Sequence, residues 1–165
     1  MTCTLRFCYF HRFTMAVPVR AKSCSPVKIL LVDDNNCGLT ARAMILQEQG
    51  YCVTTATHAE EALARLSQTR FDLLITDYCM PGMNGVELIY RVRTSIPELP
   101  VILLSGYVEA IGLTESNTGA DIVLAKSANE VTQLVRSVER LLRRRTVRKP
   151  PARIQAANKR RQAGS

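Results

Sequence analysis

The sequence predicts an α/β domain built on a parallel sheet covered on both faces. Three observations carry this. Short apolar runs, Ile29-Leu30-Leu31-Val32, Leu73-Leu74-Ile75, Val101-Ile102-Leu103-Leu104 and Ile122-Val123-Leu124, are bounded by turn residues and too short for helices. Such runs read as strands buried on both sides. The stretches between them repeat apolar residues at helical spacing, and strands that alternate with crossover helices form parallel sheets. Finally, several runs end abruptly in a polar side chain, above all at Asp77, where Tyr78-Cys79-Met80-Pro81-Gly82-Met83-Asn84-Gly85 turns the chain. Carboxyl ends of strands in open α/β sheets form ligand crevices.

Order starts at Lys28. The first strand stops at Asp33-Asp34-Asn35-Asn36. Leu39, Ala43 and Leu46 then mark a helix that ends at Gly50. Tyr51–Thr55 reads as the second strand. Thr57-His58-Ala59-Glu60 has the form of a capping box and opens a helix through about Leu66, with Ala62, Leu63 and Leu66 inward. The third strand, Leu73–Thr76, delivers Asp77. Asn84 with Glu87 starts the next helix, with Val86, Ile89 and Val92 facing the core. Pro97 and Pro100 bracket a turn before the fourth strand, which ends in Ser105-Gly106-Tyr107. A helix with a thin apolar face is predicted over Val108–Thr114, with Gly112 inside it. The fifth strand ends near Lys126. Ser127-Ala128-Asn129-Glu130 has the form of a second capping box, and Ser127 reads as the N-cap of the last helix. That helix carries Val131, Leu134, Val135, Val138, Leu141 and Leu142 as an amphipathic stripe.

The chain has 165 residues and a net charge of +8, unevenly spread. Residues 1–26 hold Arg6, Arg12, Arg20 and Lys22 and no acid; residues 140–165 are rich in Arg and Lys and contain no acid. All 14 acidic residues lie between them, so the folded part is acidic and its ends are basic. Residues 1–26 read as a disordered leader; His11 and Arg12 interrupt the apolar stretch of roughly 7–15 residues that a secretory signal needs. Met15 is an alternative start. Residues 143–165 have little apolar surface to offset ordering entropy and read as a disordered basic tail. The tail has no aromatic residue for stacking on bases and too few residues for a helix-turn-helix, so no DNA-binding domain is expected. The six cysteines form no Cys-x-x-Cys pair, and no run of ~18 apolar residues could span a membrane. Cys37, Cys52 and Cys79 read as reduced residues of a cytoplasmic domain.

A parallel sheet brings the strand ends to one edge: Asp33 and Asp34 from the first, Asp77 from the third, Ser105 from the fourth and Lys126 from the fifth. Clustered carboxylates repel unless a cation joins them. They are hard oxygen ligands suited to Mg²⁺, which binds a few carboxylates and keeps water and phosphate oxygens as further ligands. Lys126 supplies charge for an anion, Ser105 a hydroxyl donor. An Asp carboxylate can itself accept a phosphoryl group. Taken alone, each residue has a plainer reading: a cap for Asp33 or Asp34, a solvated lysine, a loop hydroxyl.

The ordered set Leu31-Val32-Asp33-Asp34, Thr76-Asp77-Tyr78-Cys79-Met80-Pro81-Gly82-Met83-Asn84-Gly85, Leu104-Ser105-Gly106-Tyr107 and Gly119-Ala120-Asp121 leading to Lys126 resembles the receiver domain of two-component response regulators, of the stand-alone type. The resemblance covers residues 27–142. It implies a flavodoxin-like (βα)5 doubly wound parallel sheet with strand order 2-1-3-4-5. It implies Asp77 as phosphoacceptor and Mg²⁺ as cofactor, bound by Asp34 and Asp77, by Asp33 mainly through water, and by the main-chain carbonyl of Cys79. Ser105 and Lys126 would stabilise the phosphoryl group, and Cys79 and Tyr107 would tune its lifetime. The implied phosphate donor is a histidine kinase or a histidine phosphotransfer protein, with a downstream protein target met over the fourth helix, fifth strand and fifth helix. The basic tail has no assigned partner.

Two positions depart from the family pattern. Ser127 stands where a proline, often after a cis bond, usually follows the lysine, so a trans bond is expected. Val123 replaces the usual aromatic switch residue. These departures favour the alternative reading, a pseudo-receiver that binds partners with little or no phospho-switching. An Asp-based phosphatase would need a second acid/base residue and a lid, and neither is visible. Tyr107 reads first as a partly buried packing residue, His58 as a surface residue in a helix's first turn, and His11 has no role.

Overall fold

The computed structural model describes residues 27–108 and 110–148. The predicted leader and residues 149–165 of the predicted tail lie outside this range.

The apolar runs become five strands, β1 (Lys28–Val32), β2 (Cys52–Ala56), β3 (Leu73–Asp77), β4 (Val101–Ser105) and β5 (Ile122–Ala125). They form one parallel sheet in the order β2-β1-β3-β4-β5. Every residue of β3 and β4 is buried, which is why those runs lack polar alternation. Helices α1 (Asn36–Glu48) and α5 (Glu130–Arg148) cover one face; α2 (Ala59–Gln68) and α3 (Gly85–Ser95) cover the other. Successive residues alternate between the two cores: Ile29 and Leu31 pack with α1 and α5, Leu30 and Val32 with α2 and α3. The fold is the flavodoxin-like doubly wound sheet expected from the sequence. No helix among the described residues is long and apolar enough to cross a membrane.

Local departures have local causes. Thr57 forms no capping box with Glu60. Its N–H and hydroxyl both donate to Glu61 instead (2.9 and 3.4 Å), and His58 takes the N-cap position without a side-chain bond. The box predicted at Ser127 is also absent: α5 starts only at Glu130, whose carboxylate accepts from Arg42 on α1. Among the described residues of the stretch predicted helical, Val108–Thr114, no helix forms; residues 108 and 110–112 lie in turns. Gly112 has φ +61°, a left-handed conformation that cannot continue a helix, and the short α4 (Glu115–Thr118) begins after Thr114. Thr114 and Asn117 supply the reciprocal caps. Val131 is exposed, because it precedes the point where α5 meets the sheet, while Leu134, Val138 and Leu141 are buried. Helix α5 continues past Leu142 to Arg148, so residues 143–148 are helical rather than part of a disordered tail. No peptide bond among the described residues is cis, the Lys126–Ser127 bond included. Val123 is half-buried against the α2–α3 core.

Candidate functional site

The acid pocket forms where β1, β3, β4 and β5 end. Asp33 and Asp34 are the first residues beyond β1, and they are released from helix capping because Asn35 does that work. Its Oδ1 accepts from the N–H groups of Cys37 and Gly38 (3.0 and 3.2 Å). Asp33 is fully buried, Asp34 is exposed, and Asp77 at the tip of β3 is buried. One carboxylate oxygen from each of the three lies within 4.8 Å of the others. The predicted acids therefore converge.

Lys126, just past β5, reaches across β4 to the pocket. Its Nζ lies 2.9 Å from Asp77 Oδ2 and 3.2 Å from Asp33 Oδ2. Its own N–H donates to the Ser105 carbonyl (2.8 Å), which fixes the β5 tip beside β4. Ser105 is fully buried, and its Oγ accepts from the Tyr107 N–H at 3.0 Å. Asp77 Oδ1 accepts from the Tyr78 N–H at 2.8 Å.

Burial pushes the Asp77 carboxyl above its ordinary pKa. The hydrogen bond and charge of Lys126 pull the other way without cancelling the shift, and the neighbouring Asp33 charge adds to it. Burial acts to lower the Lys126 pKa, but Asp77 and Asp33 together hold it above its ordinary value. At neutral pH Lys126 is thus a fixed cation among carboxylates.

Cys79 is exposed and lines an open depression of about 360 Å³ with Asp34, Tyr78, Met80, Pro81 and Asn84. The turn below it is held by Gly85. A Cβ there would sit 2.1 Å from the Asp77 carbonyl oxygen, so only glycine lets α3 start against the strand tip. Asn84 and Glu87, predicted to start this helix, form a reciprocal capping box (3.0 and 3.3 Å). Tyr107 is 57% exposed, so the packing role expected for its ring is not found.

The sequence does not single out Arg42, and it offers Glu130 only as the acid of a capping box at Ser127. Arg42 Nη1 lies 2.9 Å from Asp33 Oδ2, and its Nε donates to Glu130. Arg42 sits on a helix, where it looks like an ordinary solvated residue. Its 88-residue separation from Glu130 hides the pairing.

The comparisons agree with this architecture. Residues 29–139 match the response regulator receiver domain family. The chain belongs to that family. The receiver protein CpdR of Brucella abortus is 30% identical over 115 residues, 70% of this chain and 96% of its own length. A gliding motility regulatory protein of Myxococcus xanthus is 30% identical over 131 residues, 77% of this chain but only 17% of its own length. The response regulator TrrA of Thermotoga maritima, solved with Mg²⁺ and beryllofluoride, is 34% identical with a TM-score of 0.64. That match covers 70% of this chain and 98% of the neighbour. The receiver domain described here is accordingly a module of two-component signalling rather than a conventional enzyme.

Proposed function

We propose that this receiver domain accepts a phosphoryl group on Asp77 in a Mg²⁺-dependent reaction and signals by docking or by passing the phosphate on. The observation that carries the reading is the convergence of Asp33, Asp34 and Asp77 within 4.8 Å, with Lys126 against two of them. Three hard oxygen donors with the Lys126 ammonium against two of them fit a small divalent ion together with a phosphoryl group. Asp34, Asp77 and the Cys79 carbonyl would hold the ion, with Asp33 acting mainly through water. Bound there, the ion would neutralise charge on the transferring group.

The chain's own residues do the rest. In transfer from a phosphohistidine, a bond forms between an Asp77 carboxylate oxygen and phosphorus as the phosphorus–nitrogen bond breaks, and the imidazole keeps the electron pair. Such transfer needs positioning and charge stabilisation more than covalent help. The Tyr78 N–H fixes one Asp77 oxygen. Lys126 is positioned to leave its ion pair with Asp77 for a phosphoryl oxygen. Ser105 Oγ accepts from Tyr107, which leaves its own proton to donate to another phosphoryl oxygen. Cys79 and Tyr107, both exposed at the rim, are proposed to control water access and so the phosphate's lifetime.

The donor would be a histidine kinase or a histidine phosphotransfer protein, and the domain would act in the cytoplasm. A downstream protein would meet the surface of β5, α5 and the turns around α4, where Tyr107 and Ile111 are exposed. The pseudo-receiver reading is kept for one reason: Val123 and Ser127 stand where the family uses an aromatic and a proline. Incubation with a small-molecule phosphodonor and Mg²⁺, followed by intact-mass measurement, separates the two. Phosphotransfer predicts one added phosphate, lost in Asp77→Asn and on chelation of the metal. A folded wild-type chain that takes up no phosphate selects the pseudo-receiver.

A further inference from the structure

We infer that Arg42 is a resident counter-cation of the acid pocket and that it holds down the pocket's affinity for divalent metal. The inference rests on the metal-site reading above and assigns a residue that reading leaves unused.

Arg42 lies in the second turn of α1, yet its guanidinium folds back toward that helix's own amino end. A cation gains nothing from the helix there, because the N-terminus is the positive end of the helix dipole. What draws it is the pocket: Nη1 sits 2.9 Å from Asp33 Oδ2 while Nε is held by Glu130 of α5. The side chain is only 11% exposed, unlike a solvated surface arginine. The fold also makes room for it. At Gly38, four residues earlier, a Cβ would lie 2.7 Å from Nη1. Helix α1 thus carries a glycine, a poor helix former, at the place where the guanidinium passes.

The consequence falls on Asp33. Its Oδ2 faces two cations, Arg42 and Lys126 (3.2 Å), and its Oδ1 accepts from the Asn35 N–H (2.8 Å). A divalent ion entering the trio therefore meets an acid whose oxygens are already engaged, and a second positive charge that Glu130 holds in place. Without Arg42, Asp33, Asp34 and Asp77 would face Lys126 alone, and the pocket's potential would become more negative. Arg42 then acts through Asp33 as a positioning residue that sets the metal concentration at which the pocket fills.

The test is Mn²⁺ binding to the full chain, followed by electron paramagnetic resonance of the free ion, for wild type, Arg42→Gln and Gly38→Ala. Arg42→Gln is expected to bind about tenfold more tightly, the scale of removing one unit charge a few ångströms from the ion in a partly solvated pocket. Gly38→Ala changes no charge and favours helix, so it stays folded even if Arg42→Gln does not. Its Cβ displaces the guanidinium from Asp33, and a gain of about threefold is expected. Arg42→Lys, which keeps the charge, should fall nearer wild type. Wild-type binding with Gly38→Ala and Arg42→Gln unchanged or weaker overturns this inference and leaves the metal site standing. Absence of Mn²⁺ binding by all the chains overturns both.

Discussion

Gly85→Ala tests how tightly the candidate phosphoacceptor is bound into the frame. The added Cβ would sit 2.1 Å from the Asp77 carbonyl oxygen, 3.0 Å from the Asp77 carbonyl carbon and 3.0 Å from Leu103 Cδ1. A carbon–oxygen contact needs about 3.3 Å, so a shift of roughly 1 Å is required. The strand cannot supply it: Asp77 pairs with Leu104 inside the sheet, and the Tyr78 N–H donates to the Leu104 carbonyl at 2.8 Å. The start of α3 must move instead, and with it the bond from the Gly85 N–H to the Tyr78 carbonyl (3.0 Å). Overpacking costs about 1–3 kcal/mol and a lost backbone bond about 1 kcal/mol, so the expected loss is about 2–4 kcal/mol. For a domain of this size that lowers the melting temperature by roughly 8–20 °C. Gly82→Ala is the control. It must adopt φ +76° but meets nothing closer than Glu60 Oε1 at 3.9 Å. It should lose only about 1 kcal/mol. Urea unfolding followed by circular dichroism reads both variants. A Gly85→Ala chain within about 0.5 kcal/mol of wild type, or no worse than Gly82→Ala, refutes the steric argument.

Other perturbations probe other links. Arg93 donates to the carbonyls of Gly119, Pro97 and Leu99 and to Asp121 (3.0, 3.0, 2.6 and 2.7 Å), so it ties α3 to two loops. Allowing for its partial exposure, Arg93→Ala should cost about 2 kcal/mol in urea unfolding, and Arg93→Lys should recover less than half because the planar fork is lost. Glu61 is held below its ordinary pKa by the Thr57 N–H first and by Arg65 next. A lowered folded-state pKa gives stability that is present above the unfolded value and lost as pH falls through the folded one. Glu61→Gln should therefore unfold more easily at pH 7, by at most about 1 kcal/mol for so exposed a group. The gap should close as the pH drops through and below the ordinary glutamate value of ~4.3. A gap that persists at the acid end contradicts the assignment. Lys126→Met leaves Asp33, Asp34 and Asp77 with one cation fewer. It should destabilise the chain by about 2 kcal/mol, and Mg²⁺ should raise its melting temperature more than it raises that of wild type. An equal or smaller rise argues against a shared metal pocket.

The sheet was legible because its central strands are apolar on both faces and stop sharply at polar tips. The convergence of Asp33, Asp34, Asp77 and Lys126 followed from parallel topology alone, since that topology sends every strand end to one edge. What stayed hidden depends on contacts between elements. Glu130 looked like a capping acid for α5, but its carboxylate goes to Arg42, and Glu61 rather than Glu60 receives Thr57. A spacing rule sees a hydroxyl and an acid on one helix and cannot see a better donor arriving from another. The region around α4 was misplaced because its signal is Thr114 with Asn117 after a left-handed glycine, a weaker pattern than a glutamate box.

The sheet's backbone divides the interior into two apolar compartments, one under α1 and α5 and the other under α2 and α3. The two clusters have no buried residue in common. Substitutions such as Leu46→Met and Leu88→Met should therefore combine without synergy, as independent sites do. Each half of the molecule can be redesigned, or can drift, on its own schedule while the acids at the rim stay in register.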